Sequence, residues 1–126
     1  MSIFTHLTLG TNDLEKARTF YDSVLAPLGV KRIHDMDKAT IYGVDGPALF
    51  ITKPLDGQPA TRANGLTVGL QAPSRAAIDE FHKQALANGG TDEGAPGPRP
   101  FAPNAYAAYI RCPDGHKLCV SCVQPA

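Results

Sequence analysis

The stretch Arg111-Cys112-Pro113-Asp114-Gly115-His116-Lys117-Leu118-Cys119-Val120-Ser121-Cys122 decides how this chain is organised, because an earlier stretch repeats its form. Sliding the sequence by 69 positions lays Asp45-Gly46 over Asp114-Gly115, Leu49 over Leu118 and Ile51 over Val120. Farther upstream the matching shift is 61, which puts His6 over Thr67, Phe20 over Phe81, Leu25 over Leu86 and Gly29 over Gly90. Self-similarity of this kind marks a duplicated unit. The eight-residue difference between the shifts requires an insertion in the second copy. Glu93–Pro103, with four prolines, is placed there and predicted to be irregular chain.

Each copy reads as strand, helix, then about three strands. In the first, Phe4–Leu9 alternates Leu7 and Leu9 with His6 and Thr8, the pattern of a half-buried strand. Asn12, three residues before Glu15, is the predicted helix cap, and Leu14, Ala17, Tyr21, Val24 and Leu25 follow at helical spacing until Pro27 and Gly29. In the second, Leu66, Val68 and Leu70 alternate with Thr67, Gly69 and Gln71. Ser74 caps a helix whose apolar stripe is Ile78, Phe81, Ala85 and Leu86, and Asn88-Gly89-Gly90 ends it. Asp45-Gly46 and Asp114-Gly115 are hairpin turns. The fold class is therefore α+β, two strand–helix–three-strand modules with helices on one face of the sheet, module one over about 1–60 and module two over about 64–126 of one domain, 1–126.

Composition limits the function. Twelve Lys and Arg balance twelve Asp and Glu among 126 residues, so there is no basic excess of the kind that draws nucleic acid. No apolar run reaches the roughly 20 residues of a membrane span, and the first residues lack the pattern of a secretory signal. The expected location is the cytoplasm. Three thiols, Cys112, Cys119 and Cys122, form an odd, local set that suits no disulfide framework. Cys119 and Cys122 are three apart on a strand and point to opposite faces, so they are not expected to share an ion.

The strand faces suggest where a site would lie. One face is uniformly apolar, with Leu7, Leu9, Leu49, Ile51, Leu66, Val68, Leu70, Leu118, Val120 and Cys122. The other holds His6, Thr8, Phe50, Thr52, Thr67, Gly69, Cys119 and Ser121, a mixture of hydroxyls, a thiol, an imidazole and an aromatic ring that suits pocket lining better than a charged wet surface.

His6-Leu7-Thr8-Leu9 followed by Asn12-Asp13-Leu14-Glu15-Lys16-Ala17 and Phe20-Tyr21 resembles the opening of vicinal oxygen chelate proteins, the superfamily of glyoxalase I, bleomycin-resistance proteins and extradiol dioxygenases. Tyr109 to Leu118, with Pro113-Asp114-Gly115, resembles that family's closing strand. The resemblance spans essentially the whole chain and implies two modules whose sheet curls into a cup, in a homodimer. In metal-dependent relatives four side chains point into the cup, and the matching positions here are His6, Phe50, Thr67 and Cys119. Only His6 keeps the ligand type. With Cys119 it makes two donors, where working sites generally have about three.

The resemblance thus implies a small organic molecule bound in the cup, with a degenerate metal site and no cofactor. Phe50 would pack on the ligand, and His6 would be the acid/base (catalytic) group, since imidazole exchanges protons near neutral pH. Thr8, Thr52, Thr67, Cys119, Ser121, Arg99 and Tyr106 would line and hydrogen-bond. Two alternatives stand beside it. One is a lyase (lactoylglutathione lyase-like), isomerase or dioxygenase-like enzyme using zinc, nickel, iron or manganese on His6 and Cys119. The other is a dimer that sequesters a drug or metabolite without changing it. His82 is expected to be half-exposed, His34 to lie on a surface loop and His116 to be solvated. No nucleic acid or membrane is expected as partner.

Overall fold

Asp13 sets the start of the first helix: its carboxylate accepts from the Lys16 amide (3.1 Å), satisfying one of the donors that a helix N-terminus leaves free. The computed structural model describes residues 2–126, and in it this helix, α1, runs Leu14–Leu25. Its buried face is Leu14, Ala17, Phe20, Tyr21, Val24 and Leu25, the spacing of three and four that puts side chains on one stripe. A turn of 3-10 helix at Ala26–Leu28 follows, and Gly29 reverses the chain at φ 77°, where a side chain would be strained. Strand β1 (Leu7–Gly10) precedes α1, and β2 (Lys31–Asp35), β3 (Ala39–Gly43) and β4 (Pro47–Thr52) complete the first unit.

The second unit repeats this order with β5 (Thr67–Gln71), α2 (Arg75–Ala87), β6 (Thr91–Pro98), β7 (Tyr106–Arg111) and β8 (Lys117–Cys122). Ser74 caps α2 by accepting from the Ala77 amide (3.1 Å). Gly90 must be small, because a Cβ there would lie 2.8 Å from the Ala85 carbonyl oxygen, 2.9 Å from that of Arg111 and 3.0 Å from the Phe20 ring.

The strands form two four-stranded sheets, ordered β1-β4-β3-β2 and β5-β8-β7-β6. Each is mixed: the second, third and fourth strands of a unit pair antiparallel in succession, while the first pairs in parallel with the fourth. Leu7 pairs with Leu49 and Leu9 with Ile51; Val68 pairs with Leu118 and Leu70 with Val120. Both sequence shifts are thus reproduced in the register, which supports the α+β reading from duplicated patterns. The helix-side residues of both sheets and the stripes of both helices merge in one core, where Phe20, Val24, Ile51, Ile78, Phe81, Ile110, Leu118 and Val120 are fully buried. No helix among the described residues is long and apolar enough to cross a membrane.

Several local expectations are corrected. The proline-rich stretch is not irregular throughout, since β6 extends to Pro98. It is an edge strand whose register slips between Asp92 and Gly94 and again between Gly94 and Gly97. Pro96 sits in the second slip, where its missing N–H breaks no ladder bond. The helix cap is Asp13, not Asn12. Asn12 instead ties the units: its amide donates to Asp114 (2.9 Å), and its side chain exchanges hydrogen bonds with the Ala60 backbone (2.7 and 3.1 Å). Strand one is Leu7–Gly10 rather than Phe4–Leu9, and Leu66 and Leu86 are exposed. His34 lies on β2.

The largest correction is His116, which is buried rather than solvated. Its Nε2 lies 2.8 Å from the Gly10 carbonyl oxygen. A carbonyl only accepts, so Nε2 carries the proton and Nδ1 is left as a buried acceptor without a donor among the described residues. His82 is half-buried and pairs with Asp92 at 2.8 Å.

Candidate functional site

Alternation along the strands gives each sheet a face turned away from the helices, and the sequence-derived candidates sort onto these faces. On the first sheet Thr8 pairs with Phe50 and Ala39 with Thr52. His6, just before β1, stacks on Phe50 with ring centroids 4.5 Å apart and planes 29° apart. Nδ1 of His6 lies 3.0 Å from the Thr5 hydroxyl, and Nε2 has no protein partner among the described residues. The Thr52 hydroxyl is within reach of the Lys38 and Lys53 carbonyl oxygens (3.2 and 3.0 Å).

On the second sheet Gly69 pairs with Cys119 and Gln71 with Ser121, while Thr67 pairs with Lys117. Cys119 also faces Tyr109 across the β7–β8 ladder. The Cys119 thiol and partial burial push the Tyr109 phenol above its ordinary pKa, so its proton is held more firmly. Two cations approach that ring, Lys117 Nζ at 5.3 Å and the Arg99 guanidinium carbon at 5.7 Å. The Arg99 guanidinium donates to the carbonyls of Ala95 (2.8 Å), Gly97 (2.9 Å) and Pro98 (3.1 Å), which fixes it over the tyrosine.

Tyr106 stands apart. It falls on the helix side, donating to Asp79 on α2 (2.6 Å), with the Arg75 guanidinium 5.0 Å from its ring centre. The structure therefore does not bring Tyr106 together with the other candidates. Tyr109, three residues on and facing the opposite way, and Lys117 occupy the open face instead. The pairing of Tyr109 with Cys119 follows from the strand register, which the sequence reading did not carry through β7.

Between the two sheets lies a slot of about 340 Å³. His6, Leu7, Ala48 and Leu49 line one side, Val68, Gly69, Leu70 and Gln71 the other, and Leu25, Leu28 and Val30 close its base. The volume is that of a small-ligand site, and so is the mixture of apolar walls with a few polar groups. Gly69 keeps the slot open onto the second sheet, since an added Cβ would meet no atom within 4 Å. Phe50 and Cys119 are not part of its lining; each is one contact removed, Phe50 stacked on His6 and Cys119 paired with Gly69.

A divalent metal does not fit the donors of this chain taken alone. Among the described residues no group of three or more His, Cys, Asp or Glu comes together as a ligand set. His6 offers its Nε2 and Cys119 a free thiol, but Phe50 has no donor atom and Thr67 offers only a hydroxyl. Cys112 and Cys122 are buried free thiols on other surfaces, as strand alternation requires of Cys122.

The sequence model of the Glyoxalase/Bleomycin resistance protein/Dioxygenase superfamily matches residues 3–120. Among solved structures, a glyoxalase/bleomycin resistance protein from Albidiferax ferrireducens is similar at 42% identity and TM-score 0.90, over 95% of this chain and 98% of that one. A lactoylglutathione lyase from Agrobacterium tumefaciens (22% identity, TM-score 0.66, 96% and 93% covered) shares the fold. So does a fosfomycin resistance protein from Listeria monocytogenes (21%, 0.66, 96% and 93%). No curated protein matches the chain. With nearly its whole length matched by the superfamily model, and a solved relative of that description at 42% identity, the chain belongs to the glyoxalase/bleomycin resistance protein/dioxygenase superfamily.

Proposed function

We propose that this protein binds a small organic molecule in the slot between β1 and β5 and on the open faces that continue from it. The observation that carries this reading is the open space above Gly69, in a slot that His6 borders from the other sheet. Phe50 and the His6 ring give the ligand an aromatic wall, and Nε2 of His6 is the group that exchanges a proton with it. Thr8, Thr67, Cys119 and Ser121 hydrogen-bond and shape, while Arg99 edges the second wall. The reading needs no metal on His6 and Cys119. A homodimer completes the enclosure; Ile3, Phe4 and Phe101 are exposed apolar side chains available to such an interface.

The test is a fragment titration followed by amide NMR, with benzamide, indole and benzoate as probes. Bound fragments are expected to shift the resonances of His6, Gly69 and Gln71. Gly69→Leu, whose Cβ would have no atom within 4 Å and whose remaining side chain would extend into the slot, is expected to abolish those shifts at His6 and Gln71 while the urea midpoint shows that the chain still folds. Fragments that bind Gly69→Leu as tightly as the parent would overturn the reading.

A further inference from the structure

Charge on the open face of the second sheet does not balance. Lys117 is placed directly opposite Arg111 in the β7–β8 ladder, and like charges at facing positions repel. Arg111 is neutralised by Glu93 (2.8 Å) and donates to the Gly115 carbonyl. Arg99, over the Tyr109 ring from the side of β6, is bound only by backbone carbonyls, which orient it but carry no compensating charge. Lys117, over the same ring, has no carboxylate within ion-pair distance among the described residues. The other carboxylate of β6, Asp92, is engaged by His82 (2.8 Å). Three cations thus meet one carboxylate around a phenol whose proton is available for donation, and two positive charges remain. The chain as a whole has no net charge, so this is a local arrangement and not a consequence of a basic protein.

We propose that the ligand of this protein carries an oxyanion, a carboxylate or phosphonate, which Lys117 and Arg99 meet on the open face of the second sheet and to which the Tyr109 hydroxyl donates. This deepens the binding reading above and rests on it. Opposite charge brought to such a face relieves the repulsion between Lys117 and its neighbours, so binding is salt-sensitive. Lys117 sets the preference for charge because its ammonium is unpaired, whereas Arg99 is committed in part to holding its own loop.

Matched probes of the same shape separate the two readings: benzoate and phenylphosphonate against benzamide, each titrated into the full chain while the amides of Gly69, Tyr109 and Cys119 are followed. Benzoate is expected to bind about tenfold more tightly than benzamide. That preference should shrink toward unity both in Lys117→Gln and in the parent protein at about 1 M salt, where the screening length is roughly 3 Å. The salt series needs no variant and stands even if Lys117→Gln folds poorly. Benzamide binding as well as benzoate at these resonances would overturn the oxyanion while leaving small-molecule binding intact. If neither probe moves them, both readings fall.

Discussion

Leu7, Leu9, Leu49 and Ile51 of the first sheet occupy the positions that Val68, Leu70, Leu118 and Val120 occupy in the second, and both sets bury against helices in one core. On the opposite faces the equivalence ends. Phe50 stacked with His6 stands where the second sheet has Cys119 beside Tyr109, and among the described residues the cations Arg99 and Lys117 have no counterpart stacked on the first sheet's aromatic pair. Packing explains the difference. A helix-side residue touches many neighbours at crystal-like density and can change little, whereas a residue on the open face is free to take the chemistry a ligand requires. The two copies have kept one architecture and acquired two different walls.

The largest effects should therefore be symmetric. Leu49 and Leu118 are equivalent and buried, and Leu49→Ala and Leu118→Ala are each expected to cost about 2–5 kcal/mol in urea unfolding. Cys119→Ala, on the open face, should cost less than half as much. A Leu49→Ala cost below about 1 kcal/mol would break the comparison, since it would mean that only the second sheet is held by its core.

A smaller effect tests where the copies are deliberately unequal. His116 reaches across to the Gly10 carbonyl, but its counterpart under the 69-residue shift is the exposed Pro47. His116→Ala leaves a carbonyl without its donor and should cost about 1–3 kcal/mol. Pro47→Ala should cost almost nothing. Amide exchange at Thr11 and Asn12 reads the same tie locally: faster exchange is expected in His116→Ala, and unchanged exchange would show that the Asn12 bonds to Asp114 and Ala60 suffice.

How much of this was legible in the sequence depends on how local the cause is. The duplication, both helices, both Asp-Gly hairpins and the two faces of the opening and closing strands of each unit follow from periodicity and turn chemistry, which act over a few residues. His116 was misread because an Asp-Gly turn looks solvated until the distant Gly10 carbonyl is brought beneath it. Asn12 was misread for the same reason, since its partners lie 48 and 102 residues away. The proline-rich β6 escaped because edge position and slipped register, not composition, make prolines tolerable in a strand. In the candidate site, strand alternation and resemblance point to His6, Phe50, Thr67 and Cys119. Tyr109 and Lys117, which the proposed oxyanion site adds, were not singled out, because they are brought to that face only by cross-strand pairing with Cys119 and Arg111. Tyr106, expected at the rim beyond the insertion, falls by strand parity on the helix side, where it meets Asp79.

The smallest effect concerns how each outer strand is tied to its helix. In the first unit Asp35 accepts from Thr40 (2.7 Å), Arg32 (3.0 Å) and Arg18 (3.2 Å); in the second, Asp92 pairs with His82. The Thr40 hydroxyl, and then the two guanidinium groups, hold the Asp35 carboxyl below the usual carboxylate range. The His82 hydrogen bond and the Gly94 amide do the same for Asp92. A depressed folded pKa contributes stability that is present above the ordinary carboxylate pKa of about 4 and is lost as pH falls through the folded value. The two ties nevertheless differ in kind. The first tie rests on two permanently charged guanidinium groups and a hydroxyl, the second on a single imidazole and a backbone amide. Thr40→Val removes the first cause in the first unit alone. A carboxyl-carbon NMR titration should then show Asp35 moving up toward the ordinary range while Asp92 stays where it was, with a shallower loss of stability on acidification. An Asp35 titration unmoved by Thr40→Val would mean that the arginines alone hold it, and the contrast between the units would then rest on guanidinium against imidazole.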